Sequence, residues 1–284
     1  MMAKPAAYAA GGQLLSAHEQ GLRKDLDPRV LEYLRALKQN LADSTAWLNY
    51  AVSLSDYHWM NRHAADAVSM AIALNPFVAE YHFFRGYCHQ KLGLLQEAAA
   101  DLELAWRLDP NHENAGYYLG QTYFYMSEFE RGCAAFEGRM EISPPEAEWS
   151  AICNWQYLML RMLGRHEEAR AVSARITRET RAAEATGTLG NTWTDCQYLL
   201  SCWVYNGFIT PVEAIAQARS YGALNRWYVT MYMALYCELE GRATEAIGYY
   251  EETIATFPEI NGTETTKMEY IIEPHLKALK SKNN

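Results

Sequence analysis

Several things are missing from this chain of 284 residues, and each absence narrows the reading. No apolar run approaches the roughly 20 residues that cross a bilayer, so membrane insertion is not expected. The amino-terminal stretch MMAKPAAYAAGGQLL carries a single lysine, and its small-residue segment is broken by Pro5, Gly11 and Gly12. It has no apolar core of about 7–15 residues of the kind a secretory signal needs, and a cytoplasmic location is expected. The six cysteines include no CxxC pair, so buried free thiols are expected rather than disulfides or a metal site. Positive charge is short: 25 Lys and Arg against 34 Asp and Glu leave a net charge of −9. Nucleic-acid binding rests on neutralising phosphates with Lys and Arg, so it is not expected. There is no GxxxxGK[ST] loop, no GxGxxG after a strand and no GxSxG elbow. No hairpin turn is flanked by alternating apolar residues.

What is present is a period. The stretch AEYHFFRGYCHQKLGLLQEAAADLELAWRLDP runs from Ala79 to Pro110. Gly86 lies midway through a first helical run and Gly93 ends it. Ala98, Leu102 and Ala105 then share one face of a second run, closed by Asp109-Pro110. Pro76 lies 34 residues before Pro110, and Pro144 lies 34 after it. A fixed spacing of this size sets the architecture ahead of any local assignment. These residues resemble the tetratricopeptide repeat, a helix-turn-helix unit with a large then a small residue in helix A, a turn glycine, and alanine, a large residue, alanine and proline in helix B. The resemblance covers about 45 to 258. It implies an all-α, right-handed superhelical solenoid of about six helix pairs with amino- and carboxy-terminal capping helices.

Along the chain, residues 1–12 are expected to lack order and 13–43 to form the amino-terminal cap. Within that cap, Asp27-Pro28 starts a helix that carries Val30, Leu31, Leu34 and Leu37 on one stripe. The repeat array occupies 44–258. In the first repeat Ser44 is the expected helix cap, Trp47 and Ala51 fit helix A, and Ala64, Val68 and Ala71 fit helix B. The spacing from Trp47 to Ala64 places a one-residue insertion in the turn SDYHWMNRH, whose Tyr57, His58 and Trp59 are a candidate secondary contact surface. The third repeat keeps the small residue as Gly120 and places Arg139 at a packing position. The fourth has a clear turn at Gly164 and a long polar second helix reaching about Ala185. A fifth pair starts at Asn191-Thr192-Trp193 with Gly207 as its turn, and the sixth carries Trp227, Ala234, Gly241, Ala246, Tyr250 and Pro258. Residues 259–284 form the closing cap, a helix over 265–280 kinked or divided at Pro274.

In this family the A helices line the concave face, and solenoid curvature turns that face into a groove. The resemblance therefore places Phe83, Tyr87, Tyr117, Gln121, Tyr125, Asn154, Trp155, Arg161 and Gln197 inward as ligand-binding candidates. Tyrosine and tryptophan combine large contact area with a polar handle; the same rings also serve to pack helix on helix. One subfamily grips a carboxy-terminal carboxylate with inward Lys, Arg and Asn. Here Lys91 and Arg161 are the main inward cations, and a chaperone-tail clamp is not expected. His82 and His89, seven apart, share a helix face, with His58 and His63 in the preceding turn. Their spacing is not that of a zinc peptidase, and no metal or cofactor is expected. Glu97, Glu167 and Glu168 fall at helix starts, where the dipole favours them. The leading expectation is a non-enzymatic scaffold holding a neutral to basic peptide or protein partner. The alternative is a small-molecule-binding or catalytic protein using the same groove as an enclosed pocket, with His82, His89, Tyr87 and Tyr117 as its polar groups.

Overall fold

A computed structural model describes residues 10–15, 28–58, 60–142, 149–181, 184–186, 192–260 and 264–283. Two compact units divide the chain, Met1–Leu119 and Gly120–Asn284. In the first, a helical stretch over 10–15 begins inside the segment expected to lack order. It is followed by α1 (Pro28–Gln39), α2 (Ser44–His58), α3 (Asn61–Leu74), α4 (Ala79–Lys91) and α5 (Leu95–Leu108). The predicted stripe of α1 is buried at Val30, Leu34 and Leu37. Each helix packs on the next, α1 on α2 through to α4 on α5. The pairs close where large and small residues were expected: Trp47, Ala51, Ala64, Val68, Ala98, Leu102 and Ala105 are fully buried. Gly86 sits where α4 crosses α5; a Cβ there would stand 2.8 Å from Leu102 Cγ and 3.2 Å from the Ala98 carbonyl. The cap of α2 differs from the expectation. Asp43 receives the Thr45 and Ala46 amides at 2.9 and 3.0 Å. The Ser44 hydroxyl instead takes the Tyr81 hydroxyl at 2.9 Å, tying the first pair to the second.

The second unit holds the end of α6 (Glu113–Tyr125), α7 (Phe129–Ile142), α8 (Trp149–Met162), α9 (His166–Ser173), α10 (Cys196–Tyr205), α11 (Pro211–Ala218), α12 (Ala223–Leu239) and α13 (Ala243–Thr256). The A helices α8, α10 and α12 pack on one another, and each also packs on its own B helix. The close approach recurs at Gly120, 34 residues after Gly86, where a Cβ would meet the Phe136 ring at 2.6 Å.

One turn geometry repeats between A and B helices. Gly93, Gly164, Gly207 and Gly241 have φ of 69–73°, and Ser127 takes the same conformation at 59°. After each, the next amide reaches back five residues, Leu94 to the His89 carbonyl and Glu128 to the Tyr123 carbonyl among them at 2.9 Å. This Schellman closure satisfies the last carbonyls of helix A. Ser127 lies 34 residues after Gly93, so it is the turn glycine of the third repeat with a side chain added. Left-handed backbone is unfavourable for an L-residue. Ser127→Gly is therefore expected to raise stability by about 0.5–1 kcal/mol, read as a higher urea midpoint with an unchanged slope. In the first repeat the corresponding amide, Met60, reaches back six residues to Leu54 at 3.1 Å, the one-residue insertion counted from the sequence.

Two expectations for the middle of the chain are corrected. Helix α9 stops at Ser173 instead of running to about Ala185. Asn206 of the following pair donates to the carbonyls of Ser173 and Ile176, both at 2.8 Å, and the Trp203 indole takes the Thr177 carbonyl at 2.9 Å. These tertiary bonds claim the carbonyls that a longer helix would use. In place of its end, and of a helix starting at Asn191, a short antiparallel ladder pairs Glu184–Thr186 with Thr192–Thr194. At the carboxy terminus the closing helix is divided. One turn over Thr265–Lys267 runs into a π-helical segment, Met268–Ile272, before α14 (Glu273–Asn283). Pro274 has no amide to give the preceding turn, which accounts for the break. All six cysteines are buried free thiols. Among the described residues no helix is long and apolar enough to cross a membrane.

Candidate functional site

The predicted groove residues fall into two settings, one in each unit. In the first, Phe83, Tyr87 and Lys91 lie one turn apart along α4, and α6 brings Tyr117 and Tyr118 to them. Phe83 is 4.8 Å from the His112 ring and 5.8 Å from Tyr118. Tyr87 meets Tyr118 edge-on at 5.1 Å, and Tyr118 meets Tyr117 edge-on at 5.4 Å. The Lys91 ammonium stands over the Tyr87 ring at 5.7 Å. Gln90 holds the two helices together by donating to the Tyr118 carbonyl at 3.0 Å. Phe83 is buried, whereas Tyr87, Tyr117 and Tyr118 are partly exposed. His112 organises the start of α6: its Nδ1 accepts the Ala115 amide, and its Nε2 donates to Glu80 at 3.0 Å.

His82 and His89 do converge, but on Asp101 of α5. His89 Nδ1 is 3.1 Å from Asp101 Oδ2 and His82 Nδ1 is 3.9 Å from Oδ1. Arg85 grips the same carboxylate through both fork nitrogens at 2.8 and 2.7 Å. His82 Nε2 lies 2.8 Å from the Pro76 carbonyl. Burial pushes the Asp101 carboxyl up, but the His89 contact and the Arg85 guanidinium outweigh it and hold the group below its usual value of 3.8. The cluster joins helix A to helix B within one repeat. Among the described residues no group of three or more His, Cys, Asp or Glu is placed to hold a metal ion.

In the second unit the corresponding residues are covered. Gln121, Tyr125, Asn154, Trp155 and Gln197 are all buried. Asn154 accepts the Tyr205 hydroxyl at 2.9 Å, and Tyr205 stacks on Tyr157 at 3.9 Å and 7°. Burial pushes the Tyr205 hydroxyl well above its usual range. Gln197 donates to Asp195 at 3.5 Å. Arg161 pairs with Glu240, donates to the Tyr157 hydroxyl at 2.8 Å and caps the Leu239 carbonyl at 2.9 Å, so its guanidinium joins helix ends. The side chains of Tyr57 and His58, and the whole of Trp59, lie outside the described residues.

What covers this face was not anticipated. Tyr125 contacts Trp155 at 6.3 Å, Trp155 contacts Tyr232 at 5.5 Å, and Tyr232 contacts both Tyr198 at 5.8 Å and Tyr228 at 6.2 Å. The rings come from α6, α8, α10 and α12, one A helix each from the third to the sixth pair. Onto them folds the turn Glu264–Lys267. The Lys267 ammonium lies 5.1 Å from the Tyr228 ring centre and 5.9 Å from that of Tyr125. Its partner is Glu264 at 2.7 Å, and the two side chains are only 6% and 8% exposed. Burial first, then the Glu264 charge, hold the Tyr228 hydroxyl well above its usual range. The only sequence signal was an E-x-x-K spacing at the start of the helix expected over 265–280.

Stacked helix pairs closed by a left-handed turn residue, with the turn residue and the close-approach glycine each recurring at 34 residues between the second and third pairs, form a helical repeat fold of the tetratricopeptide type. No family model matches the chain. Among solved structures it is similar to MamA, at 20% identity over 51% of this chain and 83% of that one with a TM-score of 0.48. MamA from Desulfovibrio magneticus RS-1 aligns at 15% identity over 60% of this chain and 92% of that one, TM-score 0.49. YrrB, a TPR protein with an unusual peptide-binding site, aligns at 15% identity over 77% and 97%, TM-score 0.48.

Proposed function

We propose that this chain is a non-enzymatic scaffold that holds a peptide or partner protein on the A-helix face of its first unit. The observation that carries the reading is the partly exposed aromatic surface of Tyr87, Tyr117 and Tyr118, backed by buried Phe83 and edged by Lys91. Rings held by their neighbours lose little freedom on binding, and aromatic anchors dominate interface energies. The net charge of −9 favours a neutral to basic partner. The polar side chains best suited to chemistry on this unit, His82, His89 and Asp101, are engaged with one another between α4 and α5, which favours a binding role for the adjacent rings.

The test is affinity capture with the full chain and with Tyr87→Ala/Tyr117→Ala, followed by native mass spectrometry of the eluted complex. Both rings are partly exposed and lie outside the buried contacts that close the repeat, so the double variant should keep its fold. Its retained partner is expected to fall by about tenfold or more, as anchor residues at interfaces do. A stoichiometric small molecule or metal in the native mass, retained by both proteins, would sink the scaffold reading.

A further inference from the structure

The second unit carries a different surface, and the inference about it does not depend on how the first unit is used. Two charges are buried there at the start of the closing helix, where Glu264 precedes one α-helical turn that runs into a π-helical stretch. A buried ion pair is commonly no more stabilising than apolar residues of the same size, so closure of the repeat stack alone does not call for Lys267 and Glu264. Apolar anchoring is supplied separately. Ile271 and Ile272 are fully buried, and Leu276 nearly so. His275 Nδ1 lies 2.8 Å from Glu238, which also accepts the Tyr250 hydroxyl at 2.8 Å. The polar turn ahead of these anchors is buried at Glu264, Thr266 and Lys267, and Lys267 meets the A-helix rings of Tyr125 and Tyr228.

A lysine ammonium between tyrosine faces is held by ring quadrupoles, most strongly when water is excluded. Lys267 meets that description, and its two tyrosines come from helices α6 and α12, about a hundred residues apart in sequence. We infer that the A-helix face of the second unit is a lysine-reading peptide site, that the chain's own Glu264–Lys267 turn fills it as an internal ligand, and that the partner it takes is a peptide presenting a lysine with an acidic residue three positions earlier. Tyr125 and Tyr228 receive the ammonium, while Trp155, Tyr198 and Tyr232 form the apolar backing. The internal turn and the partner compete, so the site opens only when the turn lifts. Ile271, Ile272 and α14 stay docked as it does so.

The experiment uses the full chain and a fluorescent peptide, GTETTKMEY, copied from residues 262–270. Glu264→Ala/Lys267→Ala truncates both side chains of the internal ligand, so the turn no longer fills the site between the tyrosines. This variant is expected to bind the peptide about tenfold more tightly than the wild type does, a factor worth about 1.4 kcal/mol. The same peptide with methionine in place of its lysine should not bind the variant. Equal binding by both proteins, or equal binding of both peptides, overturns the proposal. Hydrogen exchange on the unaltered protein gives a second readout that does not depend on the variant folding. Amides of 264–270 are expected to exchange in a local opening, well before those of α12; exchange of the two together would place the turn in the core and overturn it as well.

Discussion

Gly86→Leu is expected to lower stability by about 3 kcal/mol, at the upper end of the cost of overpacking. A bare Cβ at this position already meets Leu102 Cγ at 2.8 Å and the Ala98 carbonyl at 3.2 Å, and three further carbons have nowhere to go. Leu102 is itself fully buried, so relief requires α4 and α5 to separate, which breaks the packing of the repeat. Leucine gains close to 1 kcal/mol over glycine in helix propensity, and the clash must exceed that gain. Gly248 supplies the control. It lies in the interior of α13, and a Cβ there would meet nothing within 4 Å. Gly248→Leu should therefore keep the propensity gain and stabilise slightly. Urea midpoints of the two variants should shift in opposite directions; a common shift would mean that the close approach at Gly86 does not bear the load argued here.

Asp101→Ala should cost about 3 kcal/mol, in the range for removing one partner of a buried ion pair. Asp101 is 6% exposed, and three cationic or titratable side chains lean on it. Removing the carboxylate takes the neighbouring anion from the Arg85 guanidinium and from both imidazoles, leaving Arg85 with the Ser69 hydroxyl and His82 with the Pro76 carbonyl. The pH dependence has a definite sign. The folded carboxyl titrates below its usual 3.8, so the folded state holds this proton less readily than the unfolded chain. The stabilisation is complete above that value and is lost as pH falls through the lowered folded pKa. The stability gap between wild type and Asp101→Asn, read from urea midpoints, should be constant above the usual value and close in more acidic buffer. A gap that widens on acidification would contradict the assignment.

Much of the fold is legible in the residues themselves. Gly86, Gly93, Ala98 and Pro110 stand at fixed offsets because each answers a local demand: close approach, left-handed turn, small contact, helix end. The extra residue in the first turn could be counted, and Pro274 could be read as a break. Of the site, the rings of Phe83, Tyr87 and Tyr117 could be placed on the A-helix side by register alone. Register could not show that Tyr125 and Trp155 are covered, that Arg161 caps Leu239, or that His82 and His89 share Asp101.

Those outcomes depend on groups that meet across the fold. Asn206 ends α9 by taking the Ser173 and Ile176 carbonyls from 33 and 30 residues away, and no propensity within α9 itself reports it. Lys267 finds Tyr125 and Tyr228 only after the A helices of the third to sixth pairs have packed on one another. Local spacing by itself determined the repeat, because helix period, turn conformation and close contacts act within a few residues. Tertiary structure alone decided which rings stay open and which are filled, because that depends on where the carboxy-terminal turn lands once the helices are stacked.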